Sequence, residues 1–246
     1  MRLALAMVGI IAAVTSSSAL NWSQPAGSAR ASPVVEDTAG RRLATGELHQ
    51  WLDGGALHVT VSYVFGNGHD VEERAVFQQQ PQLAQQSWSW RERRNGETVR
   101  QFDVAFSSGR AAAMVMTDGK AHRVQETLSV PNGDTFAGSG FTFALAALRQ
   151  RLLDGETVSL HAVAFTPKPR VVSVAVSYAG RDSIHLPTRT VAAERFVLHP
   201  KVPAIASLFV KVPDDAIWLT PPPSSFVRFE GPLVEPDDPI VRINAE

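Results

Sequence analysis

The chain has 246 residues, 44% of them apolar and 19% charged, and a formal net charge of -1. That is ample apolar material for a core, too little charge for a disordered chain, and no field that would attract phosphate backbones. With no cysteine in the chain, a disulfide framework, a cysteine-ligated iron–sulfur cluster and a thiol nucleophile are excluded.

The N-terminus reads as a secretory signal. Arg2 precedes the uncharged run Leu3–Val14 (LALAMVGIIAAV), and a polar stretch of small residues follows. A run of about a dozen apolar residues is too short to span a bilayer and suits an export signal. Cleavage is expected after Ser17-Ser18-Ala19, giving a signal peptide over 1–19, with Ala29-Arg30-Ala31 as a later option. The expected destination is the periplasm or the exterior. No cysteine is present to take a lipid, so a lipoprotein is not expected, nor a transmembrane segment after cleavage. Residues 20–42 are rich in Ser, Ala, Pro and Gly and read as a flexible leader. One domain over 43–246 is expected to follow.

From there the pattern is strand after strand. Ala56–Phe65 alternates Leu57, Val59, Val61 and Tyr63 against His58, Thr60 and Ser62, the period-two signature of a half-buried strand. Gly66-Asn67-Gly68 offers a tight turn into Val71–Gln78. Gln86–Asn95 sets Trp88 and Trp90 on one face and Ser89, Arg91 and Arg93 on the other. Asn95-Gly96 is a hairpin signal, answered by Thr98–Phe106. Two further strands, Ala111–Thr117 and Lys120–Val130, flank Asp118-Gly119.

The period changes once in mid-chain. Phe141, Leu145, Leu148 and Leu152 form one helical stripe, and Gly155 is placed as a C-terminal cap. An amphipathic helix over about 140–153 is expected to lie across the sheet. Strands resume at Thr157–Phe165 and Arg170–Tyr178. Gly180-Arg181-Asp182 reads as a turn, with Ser183–Leu186 and Thr190–Leu198 after it. In the insert Ala204–Val212, residues Ile205, Leu208, Phe209 and Val212 fall at helical spacing between Pro203 and Pro213, predicting a short helix over about 203–211. Ile217–Thr220, Phe226–Glu230 and Ile240–Ile243 read as the last strands. The expected fold is mainly β: a large curled antiparallel sheet, half-barrel or open barrel, with these two helices.

The leucine-striped helix, Leu153-Asp154-Gly155, the strand VSLHAVAF, the KPR turn and the late IWL and VRFEGPL strands resemble a group of uncharacterised bacterial periplasmic proteins known as domains of unknown function. Their form is similar to the half-barrel of LolA/LolB-type lipoprotein carriers. The resemblance covers about 138–243 and rests on pattern; it brings no catalytic residues. The absence of a lipidation cysteine departs from the LolB pattern.

No motif with a mechanism is present. Asp182, Ser183 and His185 are near in sequence, but no G-x-S-x-G elbow accompanies them. The seven histidines are scattered, without the spacing of a metal site, and no catalytic, cofactor-binding or metal residues are assigned. Asp70, Glu72 and Glu73 read as a solvated face, and Asp214-Asp215 and Asp237-Asp238 as turn formers. Two readings stay open for an exported, non-enzymatic envelope protein. One is a binding module for a lipid or other apolar small molecule inside the curl, with Ile205, Leu208, Phe209, Val212 and Trp218 as lid or ligand contacts. The other is a structural or assembly factor of the envelope acting through protein contacts. A hydrolase built from distant strands is a third reading. No cofactor or nucleic-acid partner is expected.

Overall fold

The computed structural model describes residues 20, 26–131, 133–165, 167–201 and 212–246. The signal segment and the insert helix over 203–211 therefore lie outside the described residues, as do Ile205, Leu208 and Phe209.

Sixteen strands form one sheet: β1 Ala29–Ala31, β2 Pro33–Asp37, β3 Arg42–Asp53, β4 Ala56–Phe65, β5 His69–Gln78, β6 Ala84–Arg94, β7 Glu97–Ala105, β8 Arg110–Thr117, β9 Lys120–Thr127, β10 Thr135–Phe136, β11 Val158–Ala164, β12 Arg170–Leu186, β13 Arg189–Pro200, β14 Asp215–Leu219, β15 Phe226–Pro232 and β16 Ile240–Ala245. Two antiparallel meanders, β2 to β9 and β11 to β16, join where β16 pairs antiparallel with β2, and the short β10 adds to β11 in parallel. The sheet runs from β10 at one end to β9 at the other and does not close, so it is an open curl, as the alternating pattern predicts.

Two-residue turns set much of this meander. Gly54-Gly55, Asn67-Gly68, Asn95-Gly96 and Asp118-Gly119 all have positive φ at both positions, which matches the twist of the strands they join. Gly180 behaves differently. The expected turn at 180–182 is instead a bulge inside one long strand, with the register shifting between Tyr178 and Gly180, and the chain reverses only after Leu186. Gly180 sits at φ +112, and that freedom bends the strand without ending it.

The stretch 20–42 is also different from the leader expected of it. Leu20 is buried, Val34 and Val35 enter the core, and β2 bonds to both β3 and β16. Pro33 opens the strand, where its missing N–H is tolerated, and the Val34-Val35 pair is apolar enough to join both meanders.

The helix α1, Gly140–Leu153, buries Phe141, Ala144, Leu145, Leu148 and Leu152 against β10, β12 and β14. Its end follows the expected cap. Gly155 at φ +88 donates to the Leu152 carbonyl, and Glu156 to that of Arg151. The other flank of the curl meets it through rings. Phe165, just past β11, stacks on Trp88 and Phe102 at 5.3 and 5.0 Å, and Phe102 on Trp90 at 5.6 Å. The inside of the curl is thus filled by α1 and a continuous aromatic stack.

Candidate binding site on the outer face

Among the described residues, several polar arrangements break the apolar inner face. At the start of α1, the Glu73 carboxylate accepts from the Trp88 indole at 2.8 Å and from the Ser139 amide at 2.7 Å. A carboxylate there is favoured by the partial positive charge of the helix N-terminus. Gly138, at φ +51, is required: a Cβ would lie 2.3 Å from both the Glu73 carboxylate and the Trp88 nitrogen. Burial, and Glu73 beside it, push the Tyr63 hydroxyl upward. Glu73 is therefore not part of a solvated face, because alternation from Val71 to Ala75 turns it inward.

Further along α1, the Arg149 guanidinium holds the fully buried Glu194 in a two-pronged pair, both contacts at 2.6 Å. At the far end of β6, Glu92 continues the face of Trp88 and Trp90 inward, so that face is not purely apolar. Glu92 is buried, takes Arg100 Nε at 2.5 Å and lies 3.0 Å from His69 Nε2, outside hydrogen-bonding geometry for that ring. Burial lowers the His69 pKa against the pull of Glu92. Arg100 also bonds Asp238 at 2.8 Å and lies over the Trp90 ring. Asp238 Oδ2 caps the amides of Val234 and Glu235, tying the β15–β16 loop to the curl, and is thus more than a turn former. Burial, with Asp238 nearby, raises the Glu235 carboxyl to about 7. Asp215, likewise more than a turn former, opens β14; burial and Asp214 push it up to about 7.

Of the expected lid residues among the described part, Val212 is half-buried. Trp218 lies on β14 with its neighbours Ile217 and Leu219 turned to the main core. Its own ring joins a separate cluster with Ile184, Leu186, Ala193 and Val227, and its nitrogen donates to Asp182 at 2.7 Å. Asp182 is thereby engaged, whereas Ser183 and His185 are exposed. Among the described residues no three His, Asp or Glu gather as metal donors, and no helix is long and apolar enough to cross a membrane.

An open concavity lies on the opposite face of the sheet, across β5 to β9. It is a groove of about 690 Å³ bordered by Arg74, Val76, Asp103, Arg110, Gln125 and Glu126, with a floor of small residues, and its acidic and basic side chains are equal in number. Register explains the floor. One row across the strands reads Arg74, Ser89, Asp103, Ala112, Gln125, and the next reads Val76, Ser87, Ala105, Arg110, Thr127. Ser87, Ser89, Ala105 and Ala112 leave the centre low, while charged side chains stand at the sides. Beside it a cavity of about 60 Å³ is walled by Glu72, Arg74, Ser89, Arg91, Gln101 and Asp103. Arg74 pairs with Glu72 at 3.0 Å, and Gln101 donates to Asp103 at 2.8 Å. The Arg91 Nε–H is buried there without a hydrogen-bond partner. In the sequence, Ser89 and Arg91 read only as the polar side of their own strand. The transverse row emerges once the pairing register is known.

Against known proteins, the chain matches no family model and no curated protein. Among solved structures it is similar to the crystal structure of a beta-barrel-like protein of Domain of Unknown Function DUF1849 from Brucella abortus. The identity is 7% and the TM-score 0.49, over 89% of this chain and 94% of that chain.

Proposed function

We propose that this chain is a non-enzymatic binding protein of the cell envelope that works through the outer face of its sheet. The observation that carries this reading is the groove of about 690 Å³ across β5 to β9, a volume within the range of small-ligand sites. Its lining contains hydrogen-bonding groups of both signs but no histidine, and no base is paired with Ser87 or Ser89, so it is built to hold a ligand and not to activate a nucleophile. Carriage of a lipid inside the curl is less well supported, because α1 and the Trp88–Phe165–Phe102–Trp90 stack occupy that space. Export rests on the Arg2 and Leu3–Val14 signal pattern.

The test compares wild type with Ala112→Tyr, which fills the floor of the groove from a half-buried outer position. Envelope glycans, peptides and lipids are screened for a rise in melting temperature, which ligand binding to the folded state produces. The reading requires a component that stabilises wild type and not the variant. If every stabilising component acts equally on both proteins, or none acts on either, the groove is not the site. Cell fractionation tests export separately; an unprocessed chain in the cytoplasm removes the envelope assignment.

A further inference from the structure

We infer that the free edge of β9 is a dimerisation surface whose partner is β9 of a second copy of this chain. The two ends of the sheet differ in kind. β10 is two residues long, with Thr135 and Phe136 only 4% and 0% exposed, so that end is too short and too covered to accept another strand. The other end is β9, eight residues over Lys120–Thr127, most of them exposed. It contains no proline and pairs with β8 without a bulge. Shortness, proline and bulges are common means of blunting an edge, and an edge that lacks all of them is open to pairing. Charged side chains are the remaining safeguard, and on β9 they are spaced so that a second β9 satisfies them.

The β8–β9 hairpin fixes which backbone groups are free. Thr117 and Lys120 flank its two-residue turn, and the Leu128 N–H bonds the Gly109 carbonyl at 2.8 Å, so the even-numbered residues of β9 bond β8. The N–H and C=O groups of Ala121, Arg123, Gln125 and Thr127 therefore point away from the sheet, and among the described residues nothing bonds them. When two identical strands pair antiparallel about a two-fold axis normal to the sheet, one residue faces its own copy. The side chains select which. An axis at Arg123 or Glu126 sets like charges opposite each other, which destabilises a sheet. An axis at His122 or Gln125 sets Val124 against Lys120 or Glu126. An axis at Val124 instead sets Val124 against itself, His122 against Glu126 of the second copy, and Arg123 against Gln125 of the second copy. In that register the free backbone groups of Arg123 and Gln125 bond one another, and those of Ala121 and Thr127 do the same. Glu126 meets Lys168 through Oε1 at 3.2 Å, which leaves Oε2 for His122. Gln125, Glu126 and Thr127 also border the outer groove, so the pairing sets the grooves of both copies on one continuous face. The dimer stands whether or not the groove holds a ligand.

The chain has no cysteine, so a single introduced one reports only contacts between copies. About the Val124 axis, two Val124→Cys side chains face each other as a non-hydrogen-bonded pair with Cβ atoms about 4.5–5.5 Å apart, close to what a disulfide spans. Ala121 faces Thr127 of the second copy, so two Ala121→Cys side chains lie about 20 Å apart along the strands and cannot meet. Under the same mild oxidation, Val124→Cys should give at least tenfold more covalent dimer than Ala121→Cys. Sedimentation of the wild-type full chain over a concentration series should show a reversible monomer–dimer equilibrium. Arg123→Pro should abolish it, because the Arg123 N–H is a free edge donor whose loss leaves the β8 ladder intact. Circular dichroism checks that this variant is folded, and the cysteine pair decides the matter if it is not. A wild type that stays monomeric throughout, equal crosslinking of the two cysteine variants, or a dimer that survives in folded Arg123→Pro overturns the inference.

Discussion

Arg149→Met tests whether α1 is held to the sheet beneath it, at β13, by the pair with Glu194. Methionine keeps helix propensity and most of the apolar stem, so the change isolates the guanidinium. Glu194 is fully buried and receives both prongs at 2.6 Å; its remaining cation is Arg181 at 3.4 Å, whose side chain is 69% exposed. An exposed partner of that kind contributes under about 1 kcal/mol. Removing one member of a buried pair typically loses about 3–5 kcal/mol, because the other charge stays in place without water. Allowing for Arg181, the expected loss is about 3 kcal/mol. For a domain of this size that corresponds to a fall in Tm of about 6–12 °C. Urea melts followed by tryptophan fluorescence measure it. The double variant Arg149→Met, Glu194→Met should regain most of the loss, since it leaves no buried charge. A single variant within about 0.5 kcal/mol of wild type, or a double variant as unstable as the single, would refute the clamp.

Two other perturbations follow from the inner face. Glu235, with its carboxyl raised from 4.5 to about 7, binds its proton more tightly folded than unfolded, so its contribution to stability is full below about pH 4.5 and is lost as pH rises towards 7. Glu235→Gln should flatten that limb and gain on wild type by at most about 3 kcal/mol between pH 5 and pH 8; parallel urea stability curves would show that Glu235 is not the group. Phe165 is 2% exposed and joins the two flanks by stacking on Trp88 and Phe102. Phe165→Ala should therefore lose about 3–5 kcal/mol and most of the near-ultraviolet circular dichroism of those rings; a loss under about 1 kcal/mol would mean the flanks do not meet there.

Local chemistry made the fold legible. Strand alternation placed Leu57 to Tyr63 inward, Asn95-Gly96 and Asp118-Gly119 set their hairpins, and the Phe141–Leu152 stripe with Gly155 placed α1 within its observed bounds. Errors arose where a local signal had two structural uses. Gly180-Arg181-Asp182 has the composition of a turn, yet Gly180 serves a bulge, because β13 continues to pair with β12 up to Leu186↔Arg189. Residues 20–42 have the composition of a linker, but a short strand such as Pro33–Asp37 needs only two or three inward apolar residues when partners wait on both sides. That pairing is a tertiary fact, absent from the segment itself.

The groove shows why sites of this type resist reading from sequence while the strands beneath them do not. Its rows join residues from five strands, and the row through Arg74 and Ala112 depends on each pairing between them. Where a hairpin is regular, the turn fixes the pairing: from Thr117↔Lys120 at the Asp118-Gly119 turn, Ala112↔Gln125 follows by counting. Across β6 and β7 counting fails, because a bulge between Glu92 and Arg93 shifts the register by one, and a second between Val76 and Phe77 shifts β5 against β6. A one-residue slip sends every side chain to the other face. Trp88, Trp90 and Glu92 point inward by alternation alone, whereas the bulges decide which residues of β5 and β7 stand level with Ser89 outside, namely Arg74 and Asp103. The extra residue is Val99 on β7, because Glu92 pairs with Arg100 and Arg93 with Thr98, and nothing in Thr98-Val99-Arg100 marks a bulge locally; next to it Glu92 takes Arg100 and Trp90 stacks on Phe102. The outer groove is thus a consequence of inner packing. Substitutions on the inner face of β6 should therefore alter ligand binding outside through the register, without touching the ligand.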